Sequence, residues 1–291
     1  MARVQDVELW LDHPQSATPD KVLEFLDQLE GCLPRKSLVE WPAIPHGTAL
    51  IAGDTHGDVP LVRRLVREHL ERVDGVDLFL TLGDYVDRTP RYVPYGSLLN
   101  ALYILSLSAR YPEKFLALRG NHETLRHVPA APSQLDSEAR QLFGDDTVAP
   151  MIWDRIEELP LAATTESGAY LAHAGFPMVR DWKRDLAHPC ERTYFQVVWN
   201  DVDVSPVCGK RGIDQTPIGE DTLSAFLQTS GSGIVVRGHD PYVGGIPLYR
   251  DRLMTVHTTH SLVGNGIFTL ELPLDGRLTS LKGTSLRRHS P

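Results

Sequence analysis

Eight side chains of the kinds that bind metals or move protons fall in five short clusters: Asp54 and His56 in GDTHGD, Asp84 and Asp87 in GDYVDR, Asn121 and His122 in RGNHE, His173 in HAG and His239 in RGHD. Singly they say little. Gly-Asp is a common turn pair, and a histidine after a strand is often only a satisfied polar residue. Together they offer carboxylate, imidazole and amide donors without a thiolate. That set suits manganese, iron or zinc and leaves coordination positions for water, whereas a structural zinc site is closed by cysteines.

Each cluster stands directly after an apolar run, and the runs define the elements that must position it. TALIAG, then DTHGD, then a helical pattern from Pro60 to Arg72 with Leu61, Leu65 and Val66 recurring, reads as a strand, a turn and a helix. The plan recurs with VDLFLTLGD and the helical stretch from Gly96 to Arg110, and its strand-to-cluster step again with KFLALRGNHE. In open α/β sheets functional groups collect beyond the carboxyl ends of the strands, where the strand fixes the backbone and the next loop is free to aim side chains. The clusters should therefore share one edge. From Asp136 to Glu158 the pattern is helical, punctuated by Gly144 and Pro150; afterwards AYLAHAG, GIVVRGHD, RLMTVHT, GIFTLELP and RLTSLK read as strands. Ahead of Thr48, one amphipathic helix is expected from Pro19 to Glu30, stopped by Gly31 and Pro34 and packed on the outside of the core. The expected organisation is one domain, with residues 1–47 a helical segment against a catalytic unit of residues 48–291. Val204 to Gly219 is a Gly- and Pro-containing loop longer than most connections, hence a candidate functional loop.

GDTHG, GDYVDR and RGNHE occur in that order, followed by HAG and RGH. In these motifs the sequence resembles the PPP-type serine/threonine protein phosphatases, within the calcineurin-like metallophosphoesterases, over roughly residues 48–270. The resemblance implies an α/β fold with a central β-sandwich flanked by helices, and two divalent ions, manganese foremost and iron or zinc as alternatives. It gives one ion Asp54, His56 and a bridging Asp84, and the other Asp84, Asn121, His173 and His239. A bridging carboxylate holds two cations about 3.5–4 Å apart, and two such cations bring a shared water towards a pKa of about 7, so hydroxide forms without a protein base. Attack on phosphorus moves charge onto the equatorial oxygens and the leaving alkoxide, which calls for a proton donor. The resemblance makes His122 that donor and Asp87 the group that orients it and stabilises its protonated form. Arg88 and Arg119 would face phosphate oxygens with guanidinium forks, and WND at 199–201 followed by KRG suggests Arg211 as a further phosphate ligand.

Three features depart from the family. Thr89 replaces the glycine that commonly follows GDYVDR, HAG replaces HGG, and TVHTTHSLVGNG at 255–266 stands where eukaryotic members carry SAPNY. His257 and His260 in that segment look like added ligands; with the six positions filled, a structural or outer-shell role is expected of them. Cys208, near the presumed active loop, is expected to be inert. The compact form is similar to prokaryotic members, which as a group often use manganese and accept phosphotyrosine or small phosphoesters besides phosphoserine and phosphothreonine.

Composition narrows the partners. A net charge of -9 and a pI near 5.7 oppose a broad basic footprint for nucleic acid. Three cysteines without CxxC spacing indicate neither a disulfide framework nor a thiolate zinc site, and a reducing cytoplasm fits. No signal-like apolar run opens the chain and no stretch approaches a membrane span. The expected partners are phosphorylated proteins or small phosphoesters. A rival reading is hydrolysis of a dinucleoside polyphosphate such as diadenosine tetraphosphate by the same metal core; RYPEKFLALRGNHE and the WND and KRG pair favour the phosphatase. A non-catalytic phospho-binding module should have lost a ligand or the general acid, and neither is lost.

Overall fold

The computed structural model describes residues 6–128, 130–131, 133–211, 216–260 and 266–289, so the 204–219 loop is described only in part. In chain order the elements are α1 (Asp6–Asp12), α2 (Pro19–Gln28), β1 (Leu38–Trp41), β2 (Thr48–Ala52), α3 (Val59–Leu65), β3 (Leu78–Thr81), α4 (Gly96–Arg110) and β4 (Phe115–Ala117). There follow α5 (Leu135–Phe143), α6 (Val148–Ile156), β5 (Ala162–Thr165), β6 (Ala169–Ala172), α7 (Trp182–Ala187) and α8 (Glu191–Val198). The chain continues with α9 (Glu220–Ser230), β7 (Ile234–Arg237), β8 (Leu253–Thr255), β9 (Ile267–Pro273) and β10 (Ser285–His289).

The strands form two five-stranded sheets, ordered β1-β5-β6-β7-β8 and β10-β9-β2-β3-β4. Why they stack is visible in the period-2 alternation of the strands. Ala49 and Ile51 of β2, Leu78 and Leu80 of β3, Leu171 of β6 and Val236 of β7 share one core between the sheets. The intervening Leu50, Ala52 and Phe79 turn outward to a second core, with α1 to α6. Tyr170, Ala172 and Val235 turn outward on the other side, against α7, α8 and α9. The result is an α/β fold, a β-sandwich with a helical layer on each face. Strands buried on both faces read as nearly continuous apolar runs. Helix α4 is apolar on every side, as expected of a helix whose residues are buried from Gly96 to Ser108.

Strands β2, β3 and β4 are mutually parallel, and so are β6, β7 and β8. Their carboxyl ends carry the clusters to one edge of the sandwich. Among the described residues one expected strand is missing and three others, β1, β5 and β10, are present without having been expected. RLTSLK forms no strand: Leu278 and Leu281 are buried between the sheets without joining a ladder, and the edge strand is SLRRH, antiparallel to β9. Charged residues suit an exposed edge, which masks the strand in sequence. Strand β1, LVEW, lies within the N-terminal segment and pairs in parallel with β5, an AATT strand too short and plain to stand out. Ahead of it, Val7, Trp10, Val22 and Phe25 belong to the same core as α4.

Candidate metal centre

Sterically costly backbone conformations gather where the strands end. His56, Asp84, Asp87, Arg88 and His239 all have positive φ, from 41° at His56 to 73° at His239. Non-glycine residues hold such angles at a cost of about 1–3 kcal/mol each, so the surroundings must over-determine them. For Asp84 that support is Glu123, fully buried, whose carboxylate accepts from the backbone N–H groups of Asp84 at 2.6 Å, Tyr85 at 2.7 Å and Gly120 at 3.0 Å. Burial raises the Glu123 carboxyl to about 7 although those N–H groups pull it down. A Cβ on Gly120 would lie 2.2 Å from Asp84 Oδ1, so the RGNHE turn requires glycine there.

The imidazoles are held through their far nitrogens. His56 Nδ1 lies 2.9 Å from the Val86 carbonyl and His173 Nδ1 lies 3.0 Å from the Leu82 carbonyl. A carbonyl only accepts, so each Nδ1 carries the proton and each Nε2 presents a lone pair to the centre. Asp84 lies between them, with Oδ2 3.5 Å from His56 Nε2 and Oδ1 3.4 Å from His173 Nε2. Asn121 Oδ1 is 2.9 Å from His173 Nε2 and 3.0 Å from His239 Nδ1, and the two nitrogens are 3.2 Å apart. Asp54 Oδ1 accepts from the His239 N–H at 2.8 Å, while its Oδ2 has no hydrogen-bond partner among the described residues.

These atoms fit a cation better than a hydrogen-bond network. The Asn121 oxygen faces the His173 lone pair, an acceptor against an acceptor, which is repulsive unless a positive charge lies between them. Two sets of donors converge, His56, Asp84 and His122 in one and Asp84, His173 and His239 in the other, and Asp84 is common to both. Burial first, and then the charges of nearby arginine and histidine side chains, push the His56 and His239 imidazoles well below their ordinary value and His173 down to about 4, which keeps them neutral, as metal ligands must be. Burial, with the charges of Asp54 and Glu123, pushes Asp84 well up. That crowding of carboxylates calls for a compensating cation.

His122 is oriented differently. Its Nδ1 lies 2.6 Å from Asp87 Oδ2, and its Nε2 is buried without a hydrogen-bond partner among the described residues. Asp87 is itself fixed, accepting from the Gln134 N–H while its own N–H donates to Ser97 Oγ at 2.9 Å. An imidazole with one nitrogen held by a carboxylate and the other without a partner is what a general acid requires.

The three arginines separate. Arg88 Nη1 is 3.5 Å from His56 Nε2, at the edge of the donor cluster. Arg211 forms a two-pronged pair with Asp201, at 2.7 and 3.1 Å, and Asp201 Oδ1 lies 3.8 Å from His239 Nε2. Arg119 is turned to Glu157 at 3.4 Å and to the Tyr194 ring. His260 is paired with Asp58, whose carboxylate is also within 3.4 Å of the Tyr92 hydroxyl. Two supporting residues went unassigned in sequence: Glu123, and Arg237, which is fully buried and donates to the Asn200 carbonyl at 3.0 Å, tying β7 to the WND segment. Both sit inside motifs quoted for their neighbours. Among the described residues no helix is long and apolar enough to cross a membrane. Burial pushes the Cys208 thiol up, away from the reactive thiolate.

Solved structures share the architecture. The protein is similar to a Saccharomyces cerevisiae protein serine/threonine phosphatase with similarity to human phosphatase PP5, at 21% identity over 92% of this chain and 88% of that one, with a TM-score of 0.73. It is similar to a cold-active protein-tyrosine phosphatase of a psychrophilic Shewanella at 14% identity, 84% and 79% coverage and a TM-score of 0.53. Identities this low speak for the fold alone. The model of the calcineurin-like phosphoesterases matches residues 47–243, a segment that holds every donor from Asp54 to His239 and ends before His257. Phosphoester hydrolysis with divalent metals is the chemistry of that family, and residues 47–243 are more than half of the chain: this protein belongs to the calcineurin-like phosphoesterase family.

Proposed function

We propose that the protein is a PPP-type phosphatase that hydrolyses phosphoserine and phosphothreonine monoesters, with phosphotyrosine and small phosphoesters as further substrates, using two divalent cations of which manganese is the first choice. The observation that carries this reading is the position of Asp84, one oxygen towards His56 and the other towards His173. A carboxylate so placed would be shared by the two cations.

Two cations held by Asp54, His56 and Asp84 and by Asp84, Asn121, His173 and His239 would activate water and offset charge on the phosphate oxygens. The remaining work falls to side chains. His122 Nε2 delivers a proton to the departing alkoxide, and Asp87 holds the opposite Nδ1–H and stabilises the imidazolium before transfer. Burial lowers the His122 pKa and the Asp87 hydrogen bond raises it, so Asp87 keeps the acid protonated to a higher pH than the cavity alone would allow. Arg88 stands at the cluster edge with a fork suited to two phosphate oxygens. Arg211 reaches a substrate by sharing or opening its pair with Asp201. Arg119 would have to leave Glu157 to do the same, so phosphate contact is assigned to Arg88 first and Arg211 second.

The test is a substrate comparison on the manganese-loaded protein: phosphoserine, phosphothreonine and phosphotyrosine peptides against diadenosine tetraphosphate. Faster turnover of the peptides is expected. Much faster cleavage of the dinucleotide would move the protein to the rival substrate class while leaving the metal chemistry intact.

A further inference from the structure

His257 stands in the segment where the sequence departs from its relatives, and its surroundings give it more than a packing role. Its side chain is 2% exposed, and its Nε2 is buried with no hydrogen-bond partner among the described residues. The atom it faces is Asp54 Oδ2, 3.8 Å away and equally without a partner, while Asp54 Oδ1 is taken by the His239 N–H. His56 Nε2 approaches the same Oδ2 from 4.0 Å.

A separation of 3.8 Å is too long for a hydrogen bond, which would draw the two atoms to about 2.7–3.2 Å. It is also too short for a water to bridge them, because each arm of such a bridge needs about 2.7 Å or more at a normal angle. Two ligands of one cation, each about 2.0–2.2 Å from it, can stand up to about 4 Å apart. Left without an ion, a buried acceptor and a buried imidazole nitrogen would each cost about 1–3 kcal/mol.

The backbone leaves His257 little freedom to move elsewhere. Asp54 and His257 pair as an isolated parallel bridge, the Thr258 N–H donates to the Asp54 carbonyl at 3.2 Å, and the Phe268 N–H donates to the His257 carbonyl at 2.8 Å. The Gly53 N–H donates to Thr258 Oγ1 at 2.9 Å, and a Cβ on Gly53 would lie 1.9 Å from the Val256 carbonyl oxygen. The glycine of GDTHGD thus lets the exits of β2 and β8 come together, one from each sheet. The register of β8 then delivers His257 to Asp54.

We propose that His257 is a direct ligand, through Nε2, of the cation held by Asp54, His56 and Asp84. This rests on the two-metal reading above and adds a fourth protein ligand to the ion that reading leaves with three. The TVHTTH segment then replaces a substrate-facing loop with a metal-binding one.

The experiment is 113Cd NMR on full-length protein carrying 15N-labelled histidine and loaded with cadmium. Scalar coupling between cadmium and nitrogen arises only through a coordinate bond, so an outer-shell histidine does not show it. Two cadmium resonances are expected, with coupled nitrogens from His56, His173, His239 and His257. In His257→Gln one coupling should disappear, only one cadmium resonance should shift or be lost, and affinity at that site should fall by about 10- to 100-fold or more. Two resonances with coupling from His56, His173 and His239 alone would overturn the proposal and leave the two-metal reading standing. Failure to bind two cadmium ions would overturn both. The count in the wild-type protein decides even if the variant fails to fold.

Discussion

The two halves of the donor cluster are built to different tolerances. Around Asn121 the donors touch, with 2.9, 3.0 and 3.2 Å separating the Asn121 oxygen, His173 Nε2 and His239 Nδ1. Around Asp54 they stand apart, at 4.0 Å from His56 and 3.8 Å from His257. Both halves draw on both sheets. Beside the shared Asp84, the close half has three donors, each on its own strand exit, whereas the open half takes Asp54 and His56 from the single turn after β2; positive φ occurs in both halves, at His56 and at His239. The difference teaches that one sandwich edge can give two non-equivalent ion positions from similar donor types. The close half should fill first and empty last.

The largest effect is expected at the residue the halves share. Asp84→Asn should abolish turnover and lower binding at both positions; two undiminished ions by elemental analysis would mean that the halves are independent. Next, His122→Asn should cut kcat by about 10²–10⁴-fold while both ions stay bound, because the His122 contact with Asp84 is made by its backbone N–H, which the substitution keeps; near wild-type kcat would remove it from proton transfer.

Asp87→Asn should cost less, about 10–100-fold, and its pH profile carries the sharper information. A general acid works only while protonated, so activity falls as pH rises through its pKa. The Asp87 hydrogen bond raises the His122 pKa, so its loss should move the basic limb of kcat/KM to lower pH. An unmoved limb would separate Asp87 from His122. Arg88→Ala, on the open half, should lower kcat/KM by about tenfold to a hundredfold, the worth of one or two charge-assisted hydrogen bonds. Arg119→Gln should stay within about threefold in kcat/KM, since its guanidinium is engaged by Glu157. A loss as large as that of Arg88→Ala would restore Arg119 to the phosphate.

Much of this was legible in the sequence for a physical reason. A strand buried on both faces is an unbroken apolar run, and the polar cluster that ends it is conspicuous, so Asp54, Asp84, Asn121, His173 and His239 could be located, and α4 was read to its ends. What could not be read depends on partners without a sequence signature. Glu123 is satisfied by backbone N–H groups, which every residue but proline carries, and Arg237 by a backbone carbonyl. His257 meets Asp54 only because strands of different sheets converge at Gly53. Strand β10 was hidden by its charges, and RLTSLK misled because Leu278 and Leu281 are buried at strand-like positions without a ladder. Arg88 and Arg119 flank similar motifs, and what separates them, a turn to the donors in one and to Glu157 in the other, depends on neighbours that the motifs do not contain.

The central claim is that one carboxylate, Asp84, serves two cations. Its most direct test is manganese titration of the metal-free protein and of Asp84→Asn, followed calorimetrically. The wild-type protein should bind two equivalents per chain in unequal steps, and the variant should lose the weaker step and weaken the stronger. A single equivalent in the wild type, or two unchanged steps in the variant, would contradict it.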